Sequence, residues 1–306
     1  MKQRILQLAL FSLLCSNHVF AQDLLGSLST TDTETKKDFA RATFKSTRLI
    51  NLQTIESLGP KTLDFRISHR FGTLNQGAYD AWGIDGPANI RLGLDYSWDG
   101  RLMFGIGRSS LDKMVDGFIK FRLIRQTTDN STPLSVTLLT SAYRTGLRLP
   151  ASSFDKYAND IDRYSYVNQI IVGKKFSPSF SLQIAPFFVH YNLVDNITDK
   201  NDMYGISAAT RIKFTKRSAI TLEYAYRYDN NYSPDSKYYD SFSIGYELET
   251  GGHVFQIQLT NSFGIAENQF LVYTRDSWSK GGIHLGFNIS RVFTVPAEKA
   301  KSGEGW

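Results

Sequence analysis

The chain has 306 residues, a hydrophobic fraction of 42% and a formal net charge of +6. A chain of this length is sufficient for one large domain or two ordinary ones. After the N-terminal stretch no apolar run exceeds about six residues, which excludes a transmembrane helix because such a helix needs ~20 apolar residues. An excess of basic over acidic residues is compatible with binding to nucleic acid or to an anionic surface. The basic residues are spread along the chain, however, and this argues against nucleic acid as a partner.

The N-terminus has the pattern of a secretory signal peptide. Two basic residues precede an almost continuous apolar run at 5–14, and Val19 and Ala21 are small or branched residues just before Gln22. This order of basic, apolar and small residues is typical of a cleavable export signal. We therefore predict that residues 1–21 are removed and that the mature chain is exported to the outer membrane.

The single cysteine, Cys15, lies within this predicted signal. A lipoprotein cut before Cys15 is the alternative, but Leu14 stands where that cleavage normally requires a small residue. Without Cys15 the mature chain has no cysteine, and this excludes disulfides, thiolate metal sites and cysteine nucleophiles.

Residues 22–60 precede the regular part of the pattern. The first half is rich in Ser, Thr, Asp and Lys and is predicted to be a periplasmic leader. Residues 41–58 resemble a strand and end in the turn Gly59-Pro60, but counting them as a barrel strand makes the strand number odd. We therefore expect 41–58 to lie in the periplasm or to plug the lumen. A barrel of 14 strands, with a further strand near 267–274, is the alternative.

From Lys61 onward apolar and polar residues alternate with a period of two. In the first segment, for example, Leu63, Phe65 and Ile67 alternate with polar residues. Such alternation gives a strand one apolar and one polar face. Strands are predicted at 61–71, 87–98, 101–109, 114–125, 134–145, 164–174, 180–192, 204–214, 219–228, 238–248, 253–262 and 281–295.

The connections between these strands alternate in length. Tight turns are predicted at Asp99-Gly100, 175–178, 215–217 and 250–252, and longer loops at 72–86, 146–163, 193–203, 229–237 and 263–280. Short periplasmic turns and longer outer loops are typical of bacterial barrels. A soluble two-sheet sandwich would also alternate, but it would not explain the loop lengths, the aromatic faces and the signal together.

The predicted fold is therefore all-β: a transmembrane antiparallel β-barrel of about 12 strands. The barrel is expected to span 61–295, and residues 296–306 are expected to form a flexible periplasmic tail. Such a barrel is surrounded by outer-membrane lipid.

Five short runs resemble a family of uncharacterised bacterial outer-membrane β-barrel proteins, a domain of unknown function. They are Ile67-Ser-His-Arg-Phe-Gly-Thr-Leu-Asn75, Gly105-Ile-Gly-Arg-Ser-Ser110, Glu249-Thr-Gly-Gly-His-Val-Phe-Gln256, Leu259-Thr-Asn261 and Gly286-Phe-Asn-Ile-Ser-Arg-Val-Phe-Thr294. The resemblance covers residues 40–295 and implies fold and location but no substrate. The last strand also resembles the aromatic-terminated strand that the barrel assembly machinery recognises. This implies Phe287 and Phe293 as the assembly signal.

The predicted inward faces carry eight basic and four acidic residues. They are Arg66, Arg70, Arg91, Lys120, Arg122, Arg211, Lys213 and Arg227, with Asp64, Asp95, Asp116 and Glu223. In a water-filled lumen this excess of cations would favour a small anionic solute. In a closed lumen the same charges would form a hydrogen-bonded network that fills a narrow barrel. The strand pattern is compatible with both arrangements.

Signatures of catalysis and of metal binding are missing. No histidine is followed by serine two positions later, and there is no Gly-x-Ser-x-Gly sequence, so we predict no enzymatic activity and no cofactor. The acidic loops around Asp160 and Asp199 do not have the spacing of a calcium loop, so no metal site is predicted. His69 is expected on the lipid-facing side and His284 in the lumen.

These observations predict a narrow passive channel or solute-binding barrel with a mildly basic lumen. The alternative is a non-conducting barrel that anchors a periplasmic or secretion partner, because both predicted terminal segments would face the periplasm. A hydrolase active at the lipid edge is a third hypothesis, and a serine-reactive probe would test it.

Overall fold

The computed structural model describes residues 38–148, 157–194, 199–228 and 238–295. Within these ranges twelve antiparallel strands each pair with their sequence neighbours, and β1 pairs with β12 to close the barrel. The strands are β1 Thr62–Thr73, β2 Asn89–Ser97, β3 Leu102–Ser109, β4 Val115–Ile124, β5 Ser135–Arg144, β6 Tyr164–Lys175, β7 Phe180–Tyr191, β8 Asp202–Lys213, β9 Ser218–Arg227, β10 Ser241–Thr250, β11 His253–Thr260 and β12 His284–Thr294. The prediction of a closed antiparallel barrel of about 12 strands is confirmed.

In the part of the chain that the structure describes, the helical elements are short and lie in the connections. One α-helix, α1, covers Glu267–Phe270 there, and 3-10 turns cover Leu74–Gln76, Ala78–Gly83, Leu111–Lys113, Asp160–Arg163 and Trp278–Lys280. Among the described residues no helix is long and apolar enough to span a bilayer. The alternative of a further strand near 267–274 is wrong, because that segment begins with α1.

Several sequence predictions fall outside the described residues. These are the signal peptide at 1–21, residues 22–37 of the leader, the predicted loop at 229–237 and the tail at 296–306.

Exposure alternates along each strand, as the sequence pattern predicts. In β2 the inward Arg91 and Asp95 are buried, whereas the outward Leu92 and Leu94 are 47% and 42% exposed. Apolar side chains on the outer face suit a hydrocarbon surrounding, and inward polar groups need partners within the lumen.

The two ends of the barrel differ in the length of their connections. The short-turn end includes the β2–β3 turn, where Gly100 has φ +85. There the backbone N–H groups of Leu102 and Arg101 hydrogen-bond to Asp99 and lower the pKa of its carboxyl group. On the same end the Lys61 ammonium lies 3.6 Å from the centre of the Trp98 ring. The opposite end carries the longer loops, including 261–283 between β11 and β12.

The inner wall has two unlike halves. From β3 to β9 many inward side chains are apolar, including Phe118, Leu139 and Phe187. From β10 through β12 to β2 the inward side chains are mostly polar, and Val254 is the buried apolar residue among them. The hydrophobic core therefore lies inside the barrel against one half of its wall.

Candidate functional site

A hairpin at residues 43–55 lies inside the barrel; we call it the inner hairpin. Its arms are joined by the backbone hydrogen bond from Thr54 N to Thr47 O at 2.8 Å, and its tip is closed by Leu49 N to Leu52 O at 3.0 Å. Every residue of this segment except the exposed Lys45 is buried. The hairpin therefore fills part of the lumen.

The inner hairpin enters and leaves the barrel at the short-turn end. Before it, Ala40 N donates to Gln126 O at 2.9 Å, beside the β4–β5 connection. After it, Leu58 O accepts a hydrogen bond from Ser97 Oγ at 3.1 Å, next to the β2–β3 turn. Both arms thus begin at the same end, and the tip reaches towards the middle of the lumen.

Glu223, on the inner face of β9, holds the tip of the inner hairpin. The backbone N–H groups of Ile50 and Leu52 donate to its Oε1 at 2.8 and 3.0 Å. The N–H of Asn51 donates to its Oε2 at 2.9 Å. Hydrogen bonds to an ionised carboxylate are stronger than bonds between neutral groups. One strand side chain therefore accepts hydrogen bonds from three consecutive backbone N–H groups.

Basic side chains of the wall bind the carbonyl and amide oxygens of the same hairpin. Arg70 Nη2 donates to Asn51 Oδ1 at 2.7 Å, and Lys120 Nζ donates to Thr47 O at 3.3 Å and to Gln53 Oε1 at 3.2 Å. Arg66 bonds Ser46, and Arg122 bonds Glu56 and Ser57. Three predicted inward cations therefore contact the inner hairpin, and a fourth contacts the two residues that follow it, instead of lining an open passage.

Two other predicted inward arginines have carboxylate partners on the strands. Arg91 forms a two-bond ion pair with Asp116. Arg211 binds Glu247 at 2.7 Å and Glu249 at 2.5 Å. The sequence count of inward acids omitted Glu247, although its place in the alternation of β10 indicates an inward side chain.

The burial of the twelve predicted inward charges is not uniform. Ten of them are buried, and Lys213 and Arg227 are partly exposed. Arg227 donates to Val272 O, and Asp64 lies 3.3 Å from Arg66. Asp95 is buried, and its Oδ2 has no hydrogen-bond partner within the described residues. Whether any of these groups selects ions remains a prediction.

The long connection at 261–283, which we call the outer loop, enters the lumen from the opposite end. Glu267 of α1 is 1% exposed and accepts hydrogen bonds from Arg48 Nη1 at 2.6 Å and from Tyr143 Oη at 2.7 Å. Asn268 Nδ2 donates to Ser165 Oγ at 2.9 Å. The ion pair between Arg48 and Glu267 therefore joins the two inserted segments inside the barrel. Sequence analysis missed Glu267 because it lies in a connection without periodicity.

Outside this closure, at the long-loop end, lies a cavity of about 710 Å³. Tyr191, Tyr273 and His284 are among its lining residues. His284 Nδ1 is 2.8 Å from Phe71 O, and its Nε2 is 3.1 Å from the Asp276 carboxylate. Within the described residues no group of three or more potential metal ligands is present.

The residues predicted as an assembly signal lie on the outer face of β12. Phe287 stacks on His69 with ring centres 5.1 Å apart, and Phe293 is 40% exposed beside Arg291. Their role in assembly remains a prediction.

Comparison with known proteins gives one family match. A family model described as "Membrane bound beta barrel domain (DUF5777)" matches residues 44–293. No functionally curated protein shows significant similarity to the sequence. The matched range includes the inner hairpin as well as the twelve strands described above.

Solved structures that resemble the fold include both channels and an enzyme. The NanC porin has 9% identity and a TM-score of 0.48, covering 76% of this chain and 100% of that one. An outer membrane channel from Pseudomonas putida F1 has 15% identity and a TM-score of 0.43, covering 78% and 98%. Outer membrane phospholipase A from Escherichia coli has 11% identity and a TM-score of 0.43, covering 75% and 92%.

Proposed function

Starting from the fact that this chain belongs to the membrane bound beta barrel domain family (DUF5777), we propose that it is a narrow, non-enzymatic outer-membrane channel that is closed at rest. The outer loop narrows the lumen, the inner hairpin closes the passage that is left, and withdrawal of the inner hairpin opens it. The observation that carries this proposal is the binding of three backbone amides at the hairpin tip by Glu223.

Closure at rest is supported by how the lumen is filled. Glu223, Arg70 and Lys120 are buried although each carries an ionisable group. A hydrated passage would leave such side chains in contact with water, whereas here their partners are hairpin atoms. A buried charge without a partner is costly, so each of these contacts favours the lumen that the hairpin fills over a lumen from which the hairpin has partly withdrawn.

Opening is supported by the polar groups of the wall that the hairpin contacts. Water can replace the hairpin's hydrogen bonds to Arg66, Arg70, Lys120 and Glu223 once these side chains are hydrated. A barrel of about twelve strands is intermediate in width between filled small barrels and open porins. Withdrawal of the inner hairpin therefore leaves a wall whose polar half, from β10 through β12 to β2, can be hydrated, beside the apolar side chains of the other half.

The same contacts support the proposal of a mild anion preference in the open state. Withdrawal separates the inner hairpin from three basic wall side chains, Arg66, Arg70 and Lys120, and from two wall carboxylates, Glu223 and Glu249. Glu249 keeps its ion pair with Arg211, so cations predominate among the wall groups that lose a partner. Arg91 and Arg211 keep their strand carboxylates in both states. Neutralising Arg70 and Lys120 in the open form is expected to reduce the preference for chloride over potassium. The matched change at Arg211 with Glu247 is expected to leave that preference unchanged.

A second candidate is the anchoring barrel, which the contacts at the start of the described chain favour. Phe39 forms a bridge with Thr127, and Thr128 N donates to Asp38 O at 2.9 Å. These contacts lie at the short-turn end, where a periplasmic partner could bind. Pull-down from solubilised outer membrane, with and without residues 22–58 and 296–306, tests this role. Failure to recover a partner that depends on either segment would count against it.

Single-channel conductance in planar bilayers tests the gated channel. In the test variant a Gly-Gly link joins Thr47 to Thr54 and replaces residues 48–53, which is feasible because these two residues are already hydrogen-bonded. The matched control replaces the exposed turn residues Asn130 and Ser131 with glycine. We expect rare or no steps from the natural protein and the control, and regular steps from the variant.

The other outcomes separate the candidates. Steps of equal frequency in all three proteins would show that the inner hairpin is not the gate. Silence in all three, with heat-modifiable gel mobility confirming folded barrels, would favour the anchoring role.

A further inference from the structure

One amide side chain in the strands faces away from the lumen. Among the described strands, six of the seven Asn and Gln side chains are buried on the inner face: Asn89, Gln169, Gln183, Gln256, Gln258 and Asn288. The seventh, Asn168 of β6, is exposed on the outer face between Tyr166 and Ile170. Among the described strands, Asn168 is therefore the one Asn or Gln whose side chain faces outward.

Asn168 is only partly hydrogen-bonded. The Thr140 hydroxyl on β5 donates to its Oδ1, but no described residue accepts a hydrogen bond from its Nδ2. Thr140 is itself an outward residue in the middle of β5, so this polar pair lies far from both strand ends. Lipid tails offer no acceptor, and an unsatisfied polar group in that medium is costly. The pair is therefore a polar site within an otherwise apolar surface.

Small residues lie beside the polar pair. Gly117 of β4 is directly opposite Ala142 of β5, one outward step along the strand from Thr140. On the other flank Asn168 is opposite Phe188 of β7. Small residues on a lipid-facing surface let a second protein backbone approach closely, and polar side chains then hydrogen-bond across the contact.

We infer that the outer face of β4 to β6 is the surface through which two copies of this chain associate in the membrane. An amide carries both a donor and an acceptor, so Asn168 can pair with Asn168 of a second copy across a two-fold axis. A two-fold interface brings the same surface patch of both copies together. A group at its centre must therefore be able to bind its own copy, and an amide can, because it has both a donor and an acceptor. A lipid tail cannot accept a hydrogen bond from Nδ2, whereas Oδ1 of Asn168 in a second copy can, and the same bond then forms in the reverse direction.

Disulfide trapping in isolated outer membranes tests the inference. The full-length chain carries either Asn168→Cys or, as a control, Ile257→Cys, an outward residue of β11 that is 60% exposed. Cys15 is common to both variants, so it cannot cause a difference between them. After copper-phenanthroline oxidation we expect a dimer band on a non-reducing gel for Asn168→Cys and none for Ile257→Cys.

A second variant measures the contribution of the amide. Asn168→Leu keeps a lipid-compatible surface but cannot hydrogen-bond, so energy transfer between donor- and acceptor-labelled copies in vesicles should decrease. We expect the dissociation constant of the pair to increase about tenfold. Equal cross-linking at both positions, cross-linking of Asn168→Cys to a different protein, or unchanged energy transfer in Asn168→Leu would overturn the inference.

Discussion

The inner hairpin and the outer loop both lie inside the barrel, but they are attached to it differently. Charged wall residues such as Glu223 and Lys120 bind the backbone of the inner hairpin. Both segments also contribute to the apolar core, the inner hairpin through Phe44, Leu49, Leu52 and Ile55 and the outer loop through Ala266, Phe270, Leu271 and Val272. The two ends of the outer loop continue directly into β11 and β12, whereas among the described residues the inner hairpin continues into a strand, β1, only on its C-terminal side. The comparison therefore favours the inner hairpin as the segment that moves and the outer loop as a constriction that stays in place.

The largest effect is expected where the two segments meet. Glu267→Leu leaves Arg48 charged and buried, because their 2.6 Å ion pair is lost. Removing one partner of a buried pair costs about 3–5 kcal/mol, whereas replacing both partners with apolar residues is often nearly neutral. In urea unfolding, the free energy of unfolding should therefore decrease strongly for Glu267→Leu and much less for Arg48→Met combined with Glu267→Leu. An equal decrease in both variants would contradict a coupled pair.

A change confined to the outer loop should destabilise the barrel without releasing the hairpin. Phe270 is 1% exposed within the core, and Phe270→Ala removes its packing and leaves a cavity. The free energy of unfolding should decrease by about 3 kcal/mol. Hydrogen exchange at Ile50 and Asn51 should stay slow relative to the strands. Selective acceleration at these amides would show that the outer loop, too, controls the hairpin.

The opposite result is expected from Glu223→Gln. The amide keeps one acceptor oxygen but loses the charge that binds the amides of Ile50, Asn51 and Leu52. Hydrogen bonds to charged groups contribute about 1.5–3 kcal/mol, so the free energy that holds the hairpin tip against β9 should decrease by roughly 2 kcal/mol. Hydrogen exchange should accelerate about thirtyfold at the tip, with little change in the strands. Uniform acceleration throughout the barrel would mean that the hairpin does not open separately.

The smallest effect is expected at the rim where the hairpin leaves the lumen. Lys61→Ala removes the ammonium group that lies over the Trp98 ring. The free energy of unfolding should decrease by about 0.5–1 kcal/mol. The unfolding midpoint should shift slightly, and the conductance of the Gly-Gly variant should not change. A large change in channel closure would place part of the gate at the rim.

The alternation of residues was sufficient to predict much of the candidate site, but not its partners. Arg70, Lys120 and Glu223 face inward because their outward neighbours are apolar, and this is readable from spacing alone. Alternation does not say what an inward side chain contacts. Glu267 could not be found in this way, since a loop with a single helical turn has no period.

The sequence by itself determined a closed antiparallel barrel with polar residues inside, because a period of two is a local property of each strand. The tertiary structure decided how the lumen is closed. The hydrogen bond from Ile50 to Glu223 joins residues 173 positions apart, and that from Arg48 to Glu267 joins residues 219 positions apart. Such contacts depend on closure of the whole barrel around residues 43–55, whose own pattern resembles that of a strand. The interior of the barrel is the position where this segment is stable because the buried charged residues of the wall gain partners there and because Phe44, Leu49, Leu52 and Ile55 join the apolar core.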